Sequence, residues 1–161
     1  MTQENQSAKT ETIEHDHVVP KKGGIFALFG TDQNLEKTGV NIDYSIDANG
    51  DPIRFVIARA GGANMRFASV LEAKTKPYKR QIQNGMIDPE IAEKIMREVY
   101  AETVVLGWEN VSDSDGVVIP FSKENCIKLF EMLPDLYRDI KDLSGQIATF
   151  RTEEREADLK N

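Results

Sequence analysis

The sequence predicts a mostly α, α+β domain, with an N-terminal β-hairpin packed on a bundle of about four helices. Three observations carry that prediction. Residues 40–46 and 53–57 alternate apolar and polar side chains around Asn49-Gly50, the mark of two half-buried strands joined by a tight turn. Ala92, Met96, Val99, Thr103 and Leu106 repeat at helical spacing, which makes one buried helix stripe. Leu136, Ile140, Leu143, Ile147 and Phe150 repeat in the same way.

Taken in order, residues 1–24 are polar and show no helical or strand period. They are expected to be disordered, or ordered only on a partner. Gly23-Gly24 is a joint to the apolar patch Ile25–Phe29, which is expected to dock on the domain. In the first strand Val40, Ile42, Tyr44 and Ile46 share a face, and in the second Ile53, Phe55 and Ile57 do so. The hairpin is placed at about 40–59. A lone hairpin is marginal in water, so its apolar face needs helices to cover it.

A helix is predicted over about 63–84, with Phe67, Val70 and Leu71 inward and a break at Pro77, which disfavours helical angles at Lys76. Asp88 caps the next helix, Pro89 fits its first position and Glu90 suits its positive end. That helix is placed at 88–107 with Gly107 closing it. Ser122 caps a helix over 122–133, with Ile127, Phe130 and Leu133 inward and Phe121 stapled onto Cys126. Pro134 opens the last helix, 134–151. The charged tail 152–161 is expected to fray. Residues 25–151 thus read as a single domain.

At 161 residues the chain is long enough to fold on a hydrophobic core without a metal or a disulfide. Its one cysteine, Cys126, allows no internal disulfide and fits a reducing compartment. The net charge of −7 argues against nucleic acid as a main partner. The first residues lack the apolar run of a signal peptide, and no stretch approaches the ~20 apolar residues of a membrane helix. The reading is a cytosolic protein.

Few residues invite chemistry. Asp113-Ser114-Asp115-Gly116 places carboxylates where a calcium loop would want them, but Val111 and Ser122 stand where the first ligand and the bidentate glutamate belong. A tight Asp-Gly turn is the expectation. His15-Asp16-His17 has no further histidine to complete a zinc site. Cys126 sits among apolar neighbours and reads as a buried thiol without a base. Trp108, the sole tryptophan, reads as a core anchor for the loop between two helices. The one basic cluster, Lys74, Lys76, Lys79 and Arg80 around Tyr78, reads first as a solvated helix face, and as a contact for an acidic protein surface if it binds anything. Neither a phosphate-cradling loop nor a nucleophile with its base is present. No catalytic residue, metal or cofactor is expected.

The run "GWENVSDSDGVVIPFSKENCIKLFEMLPDLYRDI" resembles the tail assembly chaperones of long-tailed, non-contractile bacteriophages. The shared elements are Gly107-Trp108-x-x-Val111, the Asp115-Gly116 turn, Ile119-Pro120-Phe121, the helix start Ser122-x-Glu124-Asn125, and Leu133-Pro134-Asp135-Leu136. Upstream, "ALFGTDQNLEKTGVNIDY" and "IARAGGANMRF" are similar as well. The resemblance spans about 27–151 and leaves the polar N-terminal extension outside it.

The resemblance implies a non-enzymatic protein of the host bacterial cytoplasm. It would bind the aggregation-prone tape measure protein, keep it soluble until the tail tube polymerises, and be absent from the mature virion. It also implies further partners: a longer, frameshifted form of the chain, the tail-tube protein, and other copies of the chain assembled on the tape measure. Tyr78, Lys79 and Arg80, or the outer edges of the stripes holding Met96 and Ile140, are the expected contact residues. The alternative is a structural virion component of the tail or head–tail junction, against which the helical content argues.

Overall fold

The computed structural model describes residues 24–151. The expected disorder of 1–24 and fraying of 152–161 therefore lie outside the described residues, Gly24 apart. Two short helices come first, α1 (Ile25–Phe29) and α2 (Gln33–Thr38), followed by strands β1 (Val40–Ile46) and β2 (Pro52–Ile57). Helix α3 (Met65–Thr75) runs through a 3-10 turn (Lys76–Tyr78) into α4 (Lys79–Gln83). Then come α5 (Pro89–Thr103), β3 (Val105–Glu109), α6 (Lys123–Met132), α7 (Pro134–Gly145) and a last 3-10 turn (Ala148–Phe150).

The predicted fold class needs correction. The described strands form a three-stranded antiparallel sheet in the order β1-β2-β3. They lie in the middle of the chain, after two helices, so among the described residues no N-terminal hairpin rests on a four-helix bundle. The molecule is α+β, with the sheet as one wall of the core.

The predicted hairpin forms because its turn is built locally. Asp47 Oδ1 accepts from the amides of Asn49 (2.8 Å) and Asp51 (2.9 Å), and Gly50 takes φ +88°. Such a conformation suits glycine. On the exposed face Arg54 forks onto the Asp43 carboxylate at 2.6 and 2.8 Å.

The helix predicted over 88–107 ends at Thr103, and Leu106 and Gly107 belong to β3. In a continued helix the carbonyls of residues 103 and 104 would accept from residues 107 and 108. Here Asn64 Nδ2 donates to Thr103 O (2.9 Å) and the Ala58 amide donates to Val104 O (2.8 Å). The chain then pairs with β2, with Trp108 opposite Phe55 and Val105 opposite Ile57. The helix predicted over 134–151 likewise stops at Gly145. The break at Pro77 falls where expected, at the 3-10 turn.

The core lies between the sheet and α5, α6 and α7, where Ile57, Val104, Phe130, Ile140 and Phe150 are sealed from solvent. Two aromatic chains run through it. One links Phe67, Tyr100, Tyr137 and Phe130. The other links Tyr44, Phe55, Trp108 and Phe121. Phe121 packs edge-on to Trp108 at 5.0 Å. Leu133, predicted inward, is half exposed.

Candidate partner interface

Many of the residues that carry the sequence motifs hold the fold. Gly107 pairs with Val56 in the sheet. Trp108 Nε1 donates to Ile119 O at 2.8 Å. Asp113 Oδ1 accepts from the amides of Asp115 and Val117 at 2.9 Å each. Gly116 takes φ +78°, and Ser112 bridges to Val118. Asp113–Val117 is therefore a closed turn whose first carboxylate already serves the backbone. Pro120 O accepts from Asn125 Nδ2 (2.9 Å), and Ser122 Oγ caps the Asn125 amide (3.0 Å). Pro134 begins α7, and exposed Asp135 pairs with Arg138 at 3.0 Å.

The upstream motifs close around a residue that the sequence did not single out. Glu36 is 2% exposed. Its Oε1 accepts from Arg59 Nη1, and its Oε2 accepts from the Ala63 amide at 2.5 Å. Burial alone would raise its pKa, but hydrogen bonds from Thr31, Ala63 and Arg59, with the Arg59 charge, bring it below the usual carboxylate value. Gly62 sits at φ +55°, where a Cβ would come within 2.5 Å of Glu36 Oε2. Asn64 clamps the same loop through Nδ2 bonds to Arg59 O and Thr103 O. "GGAN" is thus a socket for Glu36, and the chemistry there is structural.

Cys126 is fully buried, and burial pushes its thiol up to about 12. It is a protonated core residue. Among the described residues, no group of three or more His, Cys, Asp and Glu side chains is arranged to hold a metal ion. His15 and His17 lie outside the described residues. None of the described helices is long and apolar enough to cross a membrane.

Of the expected contact residues, the fold brings three together and takes two away. Ile140 is sealed in the core, and Met96 is half-buried against it. Tyr78 is half-buried in the 3-10 turn, while Lys79 and Arg80 open α4 and face solvent. Exposed Ile82 and Met86 follow them. Arg80, Met86, Asp88 and Ile91 line a depression of about 350 Å³. Lys74 does not share this face's freedom, because it is held by Glu98 at 2.9 Å and Glu102 at 3.7 Å. The result is a small basic and apolar face on a helical turn, borne by an acidic chain.

Two further apolar surfaces were not predicted. On α1, Ile25, Phe26, Leu28 and Phe29 are 56–86% exposed, so the apolar side chains of the patch expected to dock on the domain face solvent instead. A second apolar groove, of about 290 Å³, lies between the hairpin and the α6–α7 corner.

The comparisons place this molecule in a family. A model of the family described as "YdaY prophage protein" matches residues 62–161, more than half of the chain and all of it from α3 onward. No curated protein and no solved structure matches. The matched description speaks of a prophage and not of tail assembly. The chain belongs to the YdaY prophage protein family.

Proposed function

We propose that this prophage protein is a tail assembly chaperone, a non-enzymatic protein that holds the tape measure protein soluble before the tail tube forms. The α4 face carries the reading. Lys79, Arg80, Ile82 and Met86 are exposed together beside the depression lined by Arg80 and Met86. Methionine adapts to apolar helix stripes, isoleucine adds apolar area, and the adjacent cations meet acidic side chains that flank such stripes. The net charge of −7 keeps a crowded complex soluble. Much of the motif that resembles tail assembly chaperones serves the fold, and the α4 face lies outside it. On this reading the protein works in the host bacterial cytoplasm, several copies coat one tape measure, and the finished virion lacks it. A frameshifted longer form and the tail-tube protein would join the same assembly.

The test is co-expression with the tape measure protein of the same genome. The wild-type chain should co-purify with it and move it into the soluble fraction. The triple variant Lys79→Glu, Arg80→Glu, Met86→Asp should fold and lose that capture, because none of the three side chains is buried. Capture undiminished in the triple variant would exclude the α4 face. A tape measure that stays insoluble with the wild-type chain, or the chain itself in purified virions, would overturn the chaperone reading.

A further inference from the structure

We infer that the protein assembles with itself head to tail, α1 of one copy seating in the apolar groove of the next. The inference does not depend on the chaperone reading. It begins with two surfaces on one chain. Helix α1 is a five-residue apolar turn, Ile-Phe-Ala-Leu-Phe, with none of its residues buried. Phe26 is 86% exposed. The groove is formed by Tyr44, Ile53 and Phe55 on the hairpin and by Leu129, Leu133 and Leu136 at the α6–α7 corner. Its volume of about 290 Å³ is at the small end of the ~300–1,000 Å³ range of ligand clefts. It suits a pair of side chains from one helical turn and excludes a whole helix.

The two surfaces lie towards different ends of β2 and α7. The Asp32 amide donates to Phe150 O at 2.9 Å, and Arg151 donates to Leu28 O, which ties the start of the chain to the segment after α7. The Ala60 amide donates to Ser144 O at 3.0 Å, so the end of β2 is also at the C-terminal end of α7. The groove sits at the other end of both elements, by Tyr44 of β1 and Leu136 of α7. From Leu136 to Ser144, α7 rises ~12 Å at 1.5 Å per residue. With α1 tied in this position, it cannot fill the groove of its own copy and can fill that of another.

Charge favours the same pairing. Lys21 and Lys22 precede Gly23-Gly24 and α1 in the sequence. At the groove, the Asp139 carboxylate accepts from the Tyr44 hydroxyl at 2.6 Å, while Asp135, next to Leu136, is balanced by Arg138 at 3.0 Å. A contact between two different surfaces does not close on itself as a two-fold dimer does. It propagates into a ring or a filament.

The experiment is sedimentation velocity on the full chain over a wide concentration range, with two variants on exposed positions, Phe26→Asp and Leu133→Asp. The wild-type mass should climb past that of a dimer with concentration. Each variant alone should associate at least tenfold more weakly. Mixed together, they should form a one-to-one dimer that goes no further, because one supplies only an intact groove and the other only an intact α1. A wild-type chain that stays monomeric would overturn the inference. So would Leu133→Asp associating like the wild type, which would mean that α1 pairs with α1 or sticks without the groove.

Discussion

Glu36→Ala is the substitution that tests the socket most directly. The carboxylate is 2% exposed and carries the Arg59 guanidinium on one oxygen and the Ala63 amide on the other. Truncation leaves Arg59, whose side chain is only 21% exposed, without its counter-charge. Breaking one side of a buried pair costs about 3–5 kcal/mol. The stranded Ala63 amide contributes within that figure rather than on top of it, since a lone unsatisfied donor costs ~1–3 kcal/mol and neighbouring losses do not add. For a chain of this size ~1 kcal/mol moves the Tm by ~2–4 °C, so the fall should be about 6–20 °C.

The acid limb gives an independent readout. Glu36 has a pKa below its reference of 4.5, so its stabilisation is fully present above that value and is lost as pH falls through the folded pKa. Urea denaturation should show the wild type losing stability below about pH 4.5, and Glu36→Ala losing less over the same interval. A variant within ~1 kcal/mol of wild type at pH 7, with an unchanged acid limb, would refute the socket.

Three other outcomes follow from the same packing. Asn64→Ala frees the carbonyls of Arg59 and Thr103 and should cost ~2–3 kcal/mol in urea titrations. Trp108→Phe keeps a ring against Phe55 and Phe121 but loses the bond to Ile119 O, so it should cost ~1–2 kcal/mol. Cys126, buried and with its thiol pushed up to about 12, should resist a thiol-specific reagent at pH 8 in the native state and react at once in denaturant. Fast native reaction would mean that the α6 packing opens.

What was legible in the sequence was local. The Asn49-Gly50 turn, the Asp88-Pro89 start and the Ser122 cap each depend on side chains within a few residues of the backbone they fix, so the sequence states them outright. Strand β3 was hidden because Val99, Thr103 and Leu106 continue a helical spacing. What ends the helix is distant: Asn64 and Ala58 capture its last carbonyls, and Phe55 supplies a pairing partner. Tertiary contacts overrode the local pattern. The apolar run at 25–29 was visible, but its exposure was not, since apolar sequence alone does not say whether a partner surface lies within the same chain.

Glu36 shows the same limit at the level of a single residue. In "QNLEKTG" it reads as one more polar position on a solvated helix. Its burial follows from a guanidinium 23 residues away and an amide 27 residues away. The only hint was the pair Gly61-Gly62 beside Asn64, because two successive glycines allow a backbone that ordinary side chains resist, and both take positive φ. Such a loop needs a reason to be bent so sharply. Here the reason is a carboxylate that must be reached by a backbone N–H from close range. Many of the side chains that looked like a signature, Trp108, Asp113, Ser122 and Asn125 among them, are engaged in holding the fold. Others still reach the surface: Leu133 and Leu136 line the groove beside Tyr44, and Leu28 and Phe29 are exposed on α1.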